Sequence, residues 1–307
     1  MKIGFIGLGR MGQGMALNLQ KSGVDLCVFD LNPAAVKTLT DAGAKSATSV
    51  AELASQVDVL FTSLPGPVQV EEVILGPQGV MAHMRRGLVL FELSTSSLSL
   101  ARRIHAAFEE RGAVMLDAPV SGGPAGAASG DLALWIGGDK AVFEQHLKLL
   151  RSIGDKASHV GPIGSGTVAK LSHNLLGYMF LGSMAEVFSM ATKAGMDPLT
   201  LWKAMRSGVA GRSRGFDNIV YFLTNNHDPA HFALRLAQKD VNLALQLGRE
   251  LDVPMRLCNA LGQDMHEAMA RGWGGRDAQA VLALQSERAG IEPIQIPEEV
   301  VRQVLQS

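Results

Sequence analysis

Short apolar runs alternate with amphipathic stretches along the first half of the chain. Six of these runs have the length of a β-strand and occur in KIGFI, DLCVFD, DVLFTSL, GLVLFEL, AVMLDAP and DLALWIGG. Apolar strands separated by helical segments are typical of βαβ units, in which the strands pair in parallel. The first half therefore predicts an α/β fold built on a mostly parallel sheet.

The pattern changes at about Gly164, where VAKLSHNLLGYMFLGSMAEVFSMATKAG is helical over many turns. Later segments begin near Asp or Pro and end near Gly, as capped helices do. We predict an N-terminal α/β domain over residues 1–163 and an all-helical domain over residues 164–307 that begins with a long interdomain helix. Because that helix is apolar almost all round, we expect it to be covered in a homodimer or homotetramer.

The amino-acid composition limits the kinds of molecule that the protein is expected to bind. Of the 307 residues 47% are hydrophobic, and 28 basic residues face 29 acidic ones without any run of like charge. This balance offers no electrostatic footprint for nucleic acid or a membrane surface, so a small-molecule partner is expected. No segment approaches a membrane span. Two distant cysteines, Cys27 and Cys258, indicate a reducing, cytoplasmic setting, and the eight histidines form no metal-binding pattern, so no metal is predicted.

A glycine-rich turn follows the first predicted strand. In FIGLGRMGQGMALNL, Gly7, Gly9 and Gly12 form G-x-G-x-x-G between a strand and a helix. The three glycines would allow a tight turn, the approach of a pyrophosphate and close helix packing. The first domain is therefore predicted to be a Rossmann-type domain, and the turn supplies these candidate cofactor-binding residues: Gly7, Leu8, Gly9, Arg10, Met11 and Gly12.

Asp30 ends the second predicted strand, 18 residues after Gly12. This is close to the offset of ~20 residues at which an acid binds the adenosine ribose. A carboxylate there accepts bonds from ribose hydroxyls and repels a 2′-phosphate, so NAD is expected rather than NADP. The alternative is that Asp30 caps the next helix, but Asn32 before Pro33 is the better candidate for that cap.

The segment GPIGSGTVAKLSHN resembles a phosphate loop but lacks the adjoining Gly-Lys-Ser/Thr. We interpret it as an interdomain turn that starts the long helix. Lys170 and Asn174 stand four apart in that helix and therefore share one face, on which they can converge on one bound molecule.

Four segments together resemble the signature regions of the β-hydroxyacid dehydrogenase family, which includes 3-hydroxyisobutyrate dehydrogenase and tartronate semialdehyde reductase. They are, in chain order, FIGLGRMGQGMALNL, DAPVSGGPAGAASGDLALWIGG, GPIGSGTVAKLSHN and KDVNLALQLGRELDVP. The resemblance extends to about residue 290. It implies an oxidoreductase that interconverts a small anionic 3-hydroxy acid and its oxo acid or semialdehyde by hydride transfer to a nicotinamide.

The resemblance also implies residue roles. Lys170 would be the catalytic acid/base, since a lysine beside an oxidised nicotinamide in a partly dry cleft has its pKa lowered toward working pH. Asn174 would be a hydrogen-bond partner of the substrate, and the loop Ser121, Gly122 and Gly123 would hold the substrate carboxylate. Lys239 would approach the nicotinamide or the substrate, although it would equally suit a surface pair with a nearby acid.

Further candidates lie at strand ends or on helices. Leu64, Pro65, Ser94 and Thr95 follow predicted strands, where an open sheet presents loops to its cofactor. Turn and cap roles explain these four almost as well. Phe232 is a candidate neighbour of the nicotinamide, and the alternative for it is a place in the core.

The sequence departs from the family pattern at His173, where relatives often carry asparagine, and at Arg212 and Arg214, where many carry small or neutral residues. The two arginines would suit a second anionic group on the substrate, or simply a solvated helix start. Three other functions remain open: an imine or other carbonyl reductase on the same scaffold, a sugar-acid decarboxylase, and a non-catalytic NAD-binding protein. Lys170 argues against the first, and the Lys170–Asn174 pair against the last.

Overall fold

The computed structural model describes residues 1–208, 211 and 217–306. Within them the chain forms two compact units, residues 1–171 and residues 172–307. The units divide between Leu171 and Ser172, inside the long helix Ser165–Lys193, whereas the sequence predicts the boundary between residues 163 and 164. The first unit is α/β and the second is helical, which confirms the predicted fold class.

The first unit contains nine strands and eight complete helices among the described residues. The strands are β1 Lys2–Ile6, β2 Asp25–Phe29, β3 Lys45–Ser46, β4 Val59–Thr62, β5 Val89–Glu92, β6 Val114–Asp117, β7 Val120–Ser121, β8 Ala133–Gly137 and β9 Lys156–Gly161. The helices are α1 Gly12–Lys21, α2 Pro33–Asp41, α3 Val50–Gln56, α4 Pro67–Leu75, α5 Val80–His83, α6 Leu98–Glu110, α7 Gly123–Ser129 and α8 Lys140–Ile153.

All these strands join one sheet in the order β3-β2-β1-β4-β5-β6-β8-β7, with β9 paired to β8. The ladders from β3 to β6 are parallel, β8 runs antiparallel to β6 and β7, and β9 runs parallel to β8. The six predicted strands contain β1, β2, β4, β5, β6 and β8. The short strands β3 and β7 and the edge strand β9 lack an apolar run, and the sequence pattern does not predict them.

Each face of the sheet is covered by an apolar core. On one face Phe5, Phe61 and Phe91 stack across three neighbouring strands, with ring centroids 6.1 and 5.3 Å apart. These rings and α1 and α8 belong to one cluster of buried side chains, and α3, α4 and α6 cover the other face. Burial on both faces explains why the strands are continuous apolar runs rather than alternating ones.

Polar side chains are buried at the carboxyl edge of this sheet. Thr62, Glu92 and Asp117 end β4, β5 and β6 and stand in register with one another. None is more than 3% exposed. The carboxyl edge of a parallel sheet is where such folds bind their ligands, so these buried groups lie behind the predicted cofactor loops.

The second unit is built from helices that follow a long shared one. The helix α9, Ser165–Lys193, begins in the first unit and ends in the second. It is followed by α10 Pro198–Ser207, α11 Val220–Leu223, α12 Leu234–Glu250, α13 Arg256–Ala270, α14 Ala283–Ala289 and α15 Glu298–Gln306, with 3-10 turns at Trp273–Gly275 and Ala278–Leu282.

Among the described residues α9 is the one helix long and apolar enough to cross a bilayer. Its most apolar window of 18 residues has a mean hydropathy of 1.3, and 39% of that window is buried within the chain. The expectation that no segment approaches this length is therefore wrong. One such helix is weak evidence for a membrane, because the core helix of a soluble protein has the same properties.

Candidate active site

The glycine turn after β1 has the geometry that a pyrophosphate needs. Gly7 has φ +93°, and its amide donates to the Phe29 carbonyl. A Cβ on Gly12 would stand 1.8 Å from the Gly7 carbonyl oxygen, whereas a Cβ on Gly9 would meet nothing within 4 Å. No side chain caps the start of α1. The turn thus leaves open space beside Gly9 and an uncapped helix N-terminus for an anion, which fits a dinucleotide.

Asp30 is tied to the same turn. Its Oδ2 accepts a bond from the Leu8 amide at 2.5 Å, and its Oδ1 accepts one from the Asn32 amide at 2.7 Å. The Asn32 side chain caps α2 by accepting from the Ala34 amide, as the sequence indicated. Asp30 therefore orders the phosphate turn as well as presenting a carboxylate at the end of β2. In the same turn Arg10 is exposed and Met11 is half-buried.

The two loops after β4 and β5 are linked to each other. The Leu64 amide donates to Ser94 Oγ at 2.8 Å, and the Ser94 amide donates to Glu92 Oε1 at 2.9 Å. Pro65 is exposed and Thr95 is half-buried beside this link. The buried Glu92 thus holds in place the candidate cofactor residues of both loops.

The turn after β7 is the predicted carboxylate loop. Ser121 is half-buried, Gly122 is exposed, and Gly122 and Gly123 have φ values of +139° and +65°. A Cβ on Gly122 would stand 2.7 Å from Leu132 Cδ2 and 2.9 Å from the Asp131 carbonyl oxygen. Consecutive amides in left-handed conformations at a helix start form an anion-binding concavity, which suits a substrate carboxylate.

Asp117 anchors the start of α9, the helix that carries Lys170. Its Oδ1 accepts from the Gly164 amide at 2.7 Å, and its Oδ2 accepts from the Thr167 amide at 2.6 Å and from Thr167 Oγ1 at 2.8 Å. Lys170 is half-buried in the next turn. These bonds satisfy amides that a helix start leaves without intrahelical partners.

Gly166 of GPIGSG and Gly137 of β8 allow this close contact between helix and sheet. A Cβ on Gly166 would stand 2.2 Å from the Trp135 carbonyl oxygen and 2.7 Å from that of Asp117. A Cβ on Gly137 would stand 2.4 Å from Asp117 Oδ1. The absence of side chains lets the backbone of α9 lie directly on β6 and β8.

In the second unit Asn174 belongs to a buried polar cluster. Its Nδ2 donates to Asp240 Oδ2 at 2.7 Å, and Lys239 Nζ lies 3.0 Å from Asp240 Oδ1. Asp240 is only 3% exposed, so Lys239 pairs with an acid that is next to it in the chain and buried. Burial, followed by the charges of Asp240 and Asp277, raises the pKa of Tyr178 well above its ordinary value of about 10.

Phe232 lies in the segment that leads into α12. The amides of His231 and Phe232 both donate to Asp277 Oδ2 at 3.0 Å, and the Gln279 amide donates to Asp277 Oδ1. Phe232 is half-buried, so its exposure does not decide between a place beside the nicotinamide and a place in the core. Asp277 thus fixes the start of the helix that carries Lys239 and Asp240.

The predicted residues fall into one set in each unit. The first unit carries Gly7, Leu8, Gly9, Arg10, Met11, Gly12, Asp30, Leu64, Pro65, Thr95, Ser121, Gly122, Gly123 and Lys170, and the second carries Asn174, Phe232 and Lys239. Arg212 and Arg214 lie outside the described residues. Across the described ranges no three His, Cys, Asp or Glu side chains come together as a metal site would need.

Sequence reasoning missed four buried acids that support these sets, namely Glu92, Asp117, Asp240 and Asp277. The last three bond to Gly164, Asn174 and Phe232, which lie 47, 66 and 45 residues away along the chain, so no local pattern identifies these contacts. For two of them a signal was present, because Asp117 opens the DAPVSGG segment and Asp240 follows Lys239 directly.

Two protein-family models match the chain in succession. Residues 2–161 match the NAD binding domain of 6-phosphogluconate dehydrogenase. Residues 164–285 match the domain described as NAD-binding of NADP-dependent 3-hydroxyisobutyrate dehydrogenase.

Similar proteins cover most of the chain. A 2-(hydroxymethyl)glutarate dehydrogenase of Eubacterium barkeri is 36% identical over 95% of this chain and 97% of its own length. An NAD-dependent L-serine dehydrogenase of Pseudomonas aeruginosa is 43% identical over 68% of this chain and 70% of its own. A solved Mycobacterium tuberculosis 3-hydroxyisobutyrate dehydrogenase with L-serine has a TM-score of 0.82 at 28% identity, over 92% of this chain and 98% of that one.

The raised pKa of Tyr178 generates a prediction that can be measured without a substrate. In a Tyr221→Phe background Tyr178 is the remaining tyrosine of the two in the chain. Its phenolate absorbance at 295 nm should appear well above pH 10 in the folded protein and near pH 10 in guanidinium. Because the folded state keeps the proton longer, the free energy of unfolding should fall as the pH rises above 10.

Asp240→Asn should move this absorbance transition to lower pH, because a negative neighbour of the phenolate is removed. Glu298→Gln is the matched control, since Glu298 acts on Tyr221 and not on Tyr178. Circular dichroism should show a folded chain throughout. An unchanged Asp240→Asn transition would contradict the cluster described above.

Proposed function

The chain belongs to the β-hydroxyacid dehydrogenase family, and we propose that it oxidises a small acid whose hydroxymethyl group is attached to the carbon that bears the carboxylate. It is a nicotinamide-dependent dehydrogenase of small hydroxy acids. The substrates named for the relatives support the finer class. 2-(Hydroxymethyl)glutarate, L-serine and 3-hydroxyisobutyrate share a 3-hydroxypropanoate core and differ only at C2. Oxidation of their primary alcohol gives a semialdehyde.

The observation that carries this proposal is the position of Lys170 and Asn174 on one helix, whose start is anchored by Asp117. Lys170 stands one turn after the Thr167 contact with Asp117, and Asn174 stands one turn further on the same helix. Lys170 is the base that accepts the hydroxyl proton, while NAD supplies the hydride acceptor when bound. Asn174 gives its Nδ2 to Asp240, so its Oδ1 is the atom left to accept a bond from the substrate hydroxyl.

The turn of Ser121, Gly122 and Gly123 binds the carboxylate that all three candidate substrates share. Its left-handed glycines and the start of α7 provide amide donors of the kind that carboxylates need.

We propose that Arg212 and Arg214 bind a second anionic group on the substrate. This proposal is supported by the relative named for 2-(hydroxymethyl)glutarate, a dicarboxylate. Guanidinium groups pair bidentately with carboxylates, so these positions would distinguish such a substrate from L-serine.

NAD is proposed as the preferred cofactor because of Asp30. Asp30 follows β2 directly, and its carboxylate lies beside the glycine turn. There it accepts hydrogen bonds from the ribose hydroxyls and repels a 2′-phosphate. The P. aeruginosa relative is named as NAD-dependent, whereas the matched second family model is described as NADP-dependent.

We further propose a homodimer or homotetramer in a reducing, cytoplasmic compartment. Leu176 and Met190 on α9 are 70% and 68% exposed and stand 14 residues apart, which is close to four helical turns. Two large apolar side chains on one helix face favour a protein partner. Cys27 and Cys258 are both free and buried, which suits a reducing compartment.

The first test is nicotinamide reduction with 3-hydroxyisobutyrate, L-serine, 3-hydroxypropionate and 2-(hydroxymethyl)glutarate. We expect turnover with at least one of them and a loss of about 10²–10⁴ in kcat for Lys170→Ala, the usual contribution of a general base. NAD affinity should stay within about twofold, as expected for a residue that acts on the substrate alone. Lys170→Ala activity close to that of the parent would refute the assigned role.

The second test concerns cofactor choice. Asp30→Ala should lower kcat/KM for NAD about 10- to 100-fold, the effect of losing hydrogen bonds to a charged group worth about 1.5–3 kcal/mol. The ratio of NAD to NADP efficiency should fall with it. Asp58→Ala is the matched control, because Asp58 also accepts from a backbone amide, that of Lys2, at the opposite edge of the sheet. An unchanged ratio in Asp30→Ala would refute Asp30 as the selector.

The third test concerns assembly. Light scattering at micromolar concentration should give a multiple of 32.6 kDa. Leu176→Asp with Met190→Asp should reduce that mass, because charges would replace the apolar contact. Val68→Asp is the control, since Val68 is 72% exposed in the α/β unit. A monomeric parent would rule out the oligomer, and an unreduced mass in the double variant would rule out this face.

A further inference from the structure

The buried carboxylate of Asp117 lies at the junction of two parts of the proposed active site. It ends β6 at 1% exposure, in register with Glu92 of β5 and Gly137 of β8. A buried carboxylate needs donors that compensate for its lost hydration. Asp117 accepts hydrogen bonds from three donors at the start of α9, and two of these donors are amides at the positive end of that helix.

Toward the C-terminal side of β6 the chain passes directly into the carboxylate loop. Only Ala118, Pro119 and Val120 separate Asp117 from Ser121, and Val120 and Ser121 pair with β8. The position of the substrate-carboxylate loop is therefore fixed by the same strand end that holds α9.

Asp117 also sets the position of Lys170, through its bonds to the start of α9. Lys170 follows Thr167 by three residues, which is about 4.5 Å along a helix axis. Because a Cβ on Gly166 would meet two carbonyl oxygens, the helix backbone lies against β6 and β8 with no side chain between them. A tilt or shift of the first turn would carry Lys170 with it.

We propose that Asp117 is a positioning residue for the reaction, holding Lys170 in register with the Ser121–Gly123 loop so that base and carboxylate site meet one substrate. It touches no reactant and acts through Thr167 and Gly164. This inference rests on the proposed role of Lys170. Its consequence is a specific loss in the chemical step, because small misplacements of a catalytic group slow the reaction without weakening cofactor binding.

The experiment compares the full-length parent with Asp117→Asn, Thr167→Val and Thr167→Ser. We expect kcat to fall about 10- to 100-fold in Asp117→Asn, with KM for NAD within about twofold, since Asp30 and the glycine turn are untouched. Thr167→Val should fall less, because it loses one of three bonds, and Thr167→Ser should restore kcat. With substrate deuterated at the oxidised carbon, the isotope effect on kcat should be at least as large as in the parent.

Asp197→Asn is the matched control for helix capping. Asp197 Oδ2 accepts from the amide and Oγ1 of Thr200, the same pair of bonds, at the start of α10. It should lower the melting temperature without changing kcat. If Asp117→Asn does not fold, the Thr167→Val and Thr167→Ser pair decides the matter, because both retain the carboxylate.

Two results would overturn the inference. The first is a kcat within twofold of the parent in folded Asp117→Asn, or in Thr167→Val where only the pair folds. The second is a fall in kcat with an isotope effect that drops toward unity, because a step other than hydride transfer would then have slowed. Failure of the proposed function is distinguishable, since it appears as activity that survives Lys170→Ala in an otherwise unaltered protein.

Discussion

A buried carboxylate must find hydrogen-bond donors, and the donors that Asp117 finds are the first amides of α9. This single requirement joins the sheet to the helix on which Lys170 stands. It also explains Gly166 of GPIGSG, because the carboxylate can reach the helix only if both backbones approach without a side chain at this position. The segment that resembles a phosphate loop is a packing surface, while the turn that we propose for the pyrophosphate stands at Gly7–Gly12.

In the helical unit two further buried carboxylates hold neighbouring groups in place. Asp240 orders Asn174 and Lys239, and Asp277 orders the amides that precede α12. Each acid is nearly inaccessible to solvent, and each accepts at least one hydrogen bond from a residue distant in sequence. Networks of this kind are rigid when fully bonded. Asn174, Lys239 and the amide of Phe232 are thus held by contacts within the helical unit.

Features that depend on residues close together in the chain could be predicted from the sequence. The glycine turn, the acid 18 residues beyond it and the cap at Asn32 each depend on residues close together in the chain. The six long apolar strands were predictable because burial on both faces requires them. By contrast β9, KASHVG, lies at the sheet edge with no position fully buried, so no apolar run marks it. Asp117, Asp240 and Asp277 each also bond to a residue 45 or more positions away, and a periodic pattern in the sequence cannot indicate such a contact.

The link between Asp30 and Leu8 has a consequence for how such a protein can change over evolutionary time. The carboxylate suited to the ribose also orders the turn suited to the pyrophosphate. A substitution that exchanges one cofactor for the other at this position would at once loosen the turn that both cofactors require. A change of cofactor specificity at this position would therefore also need a second substitution that holds the Leu8 amide in place.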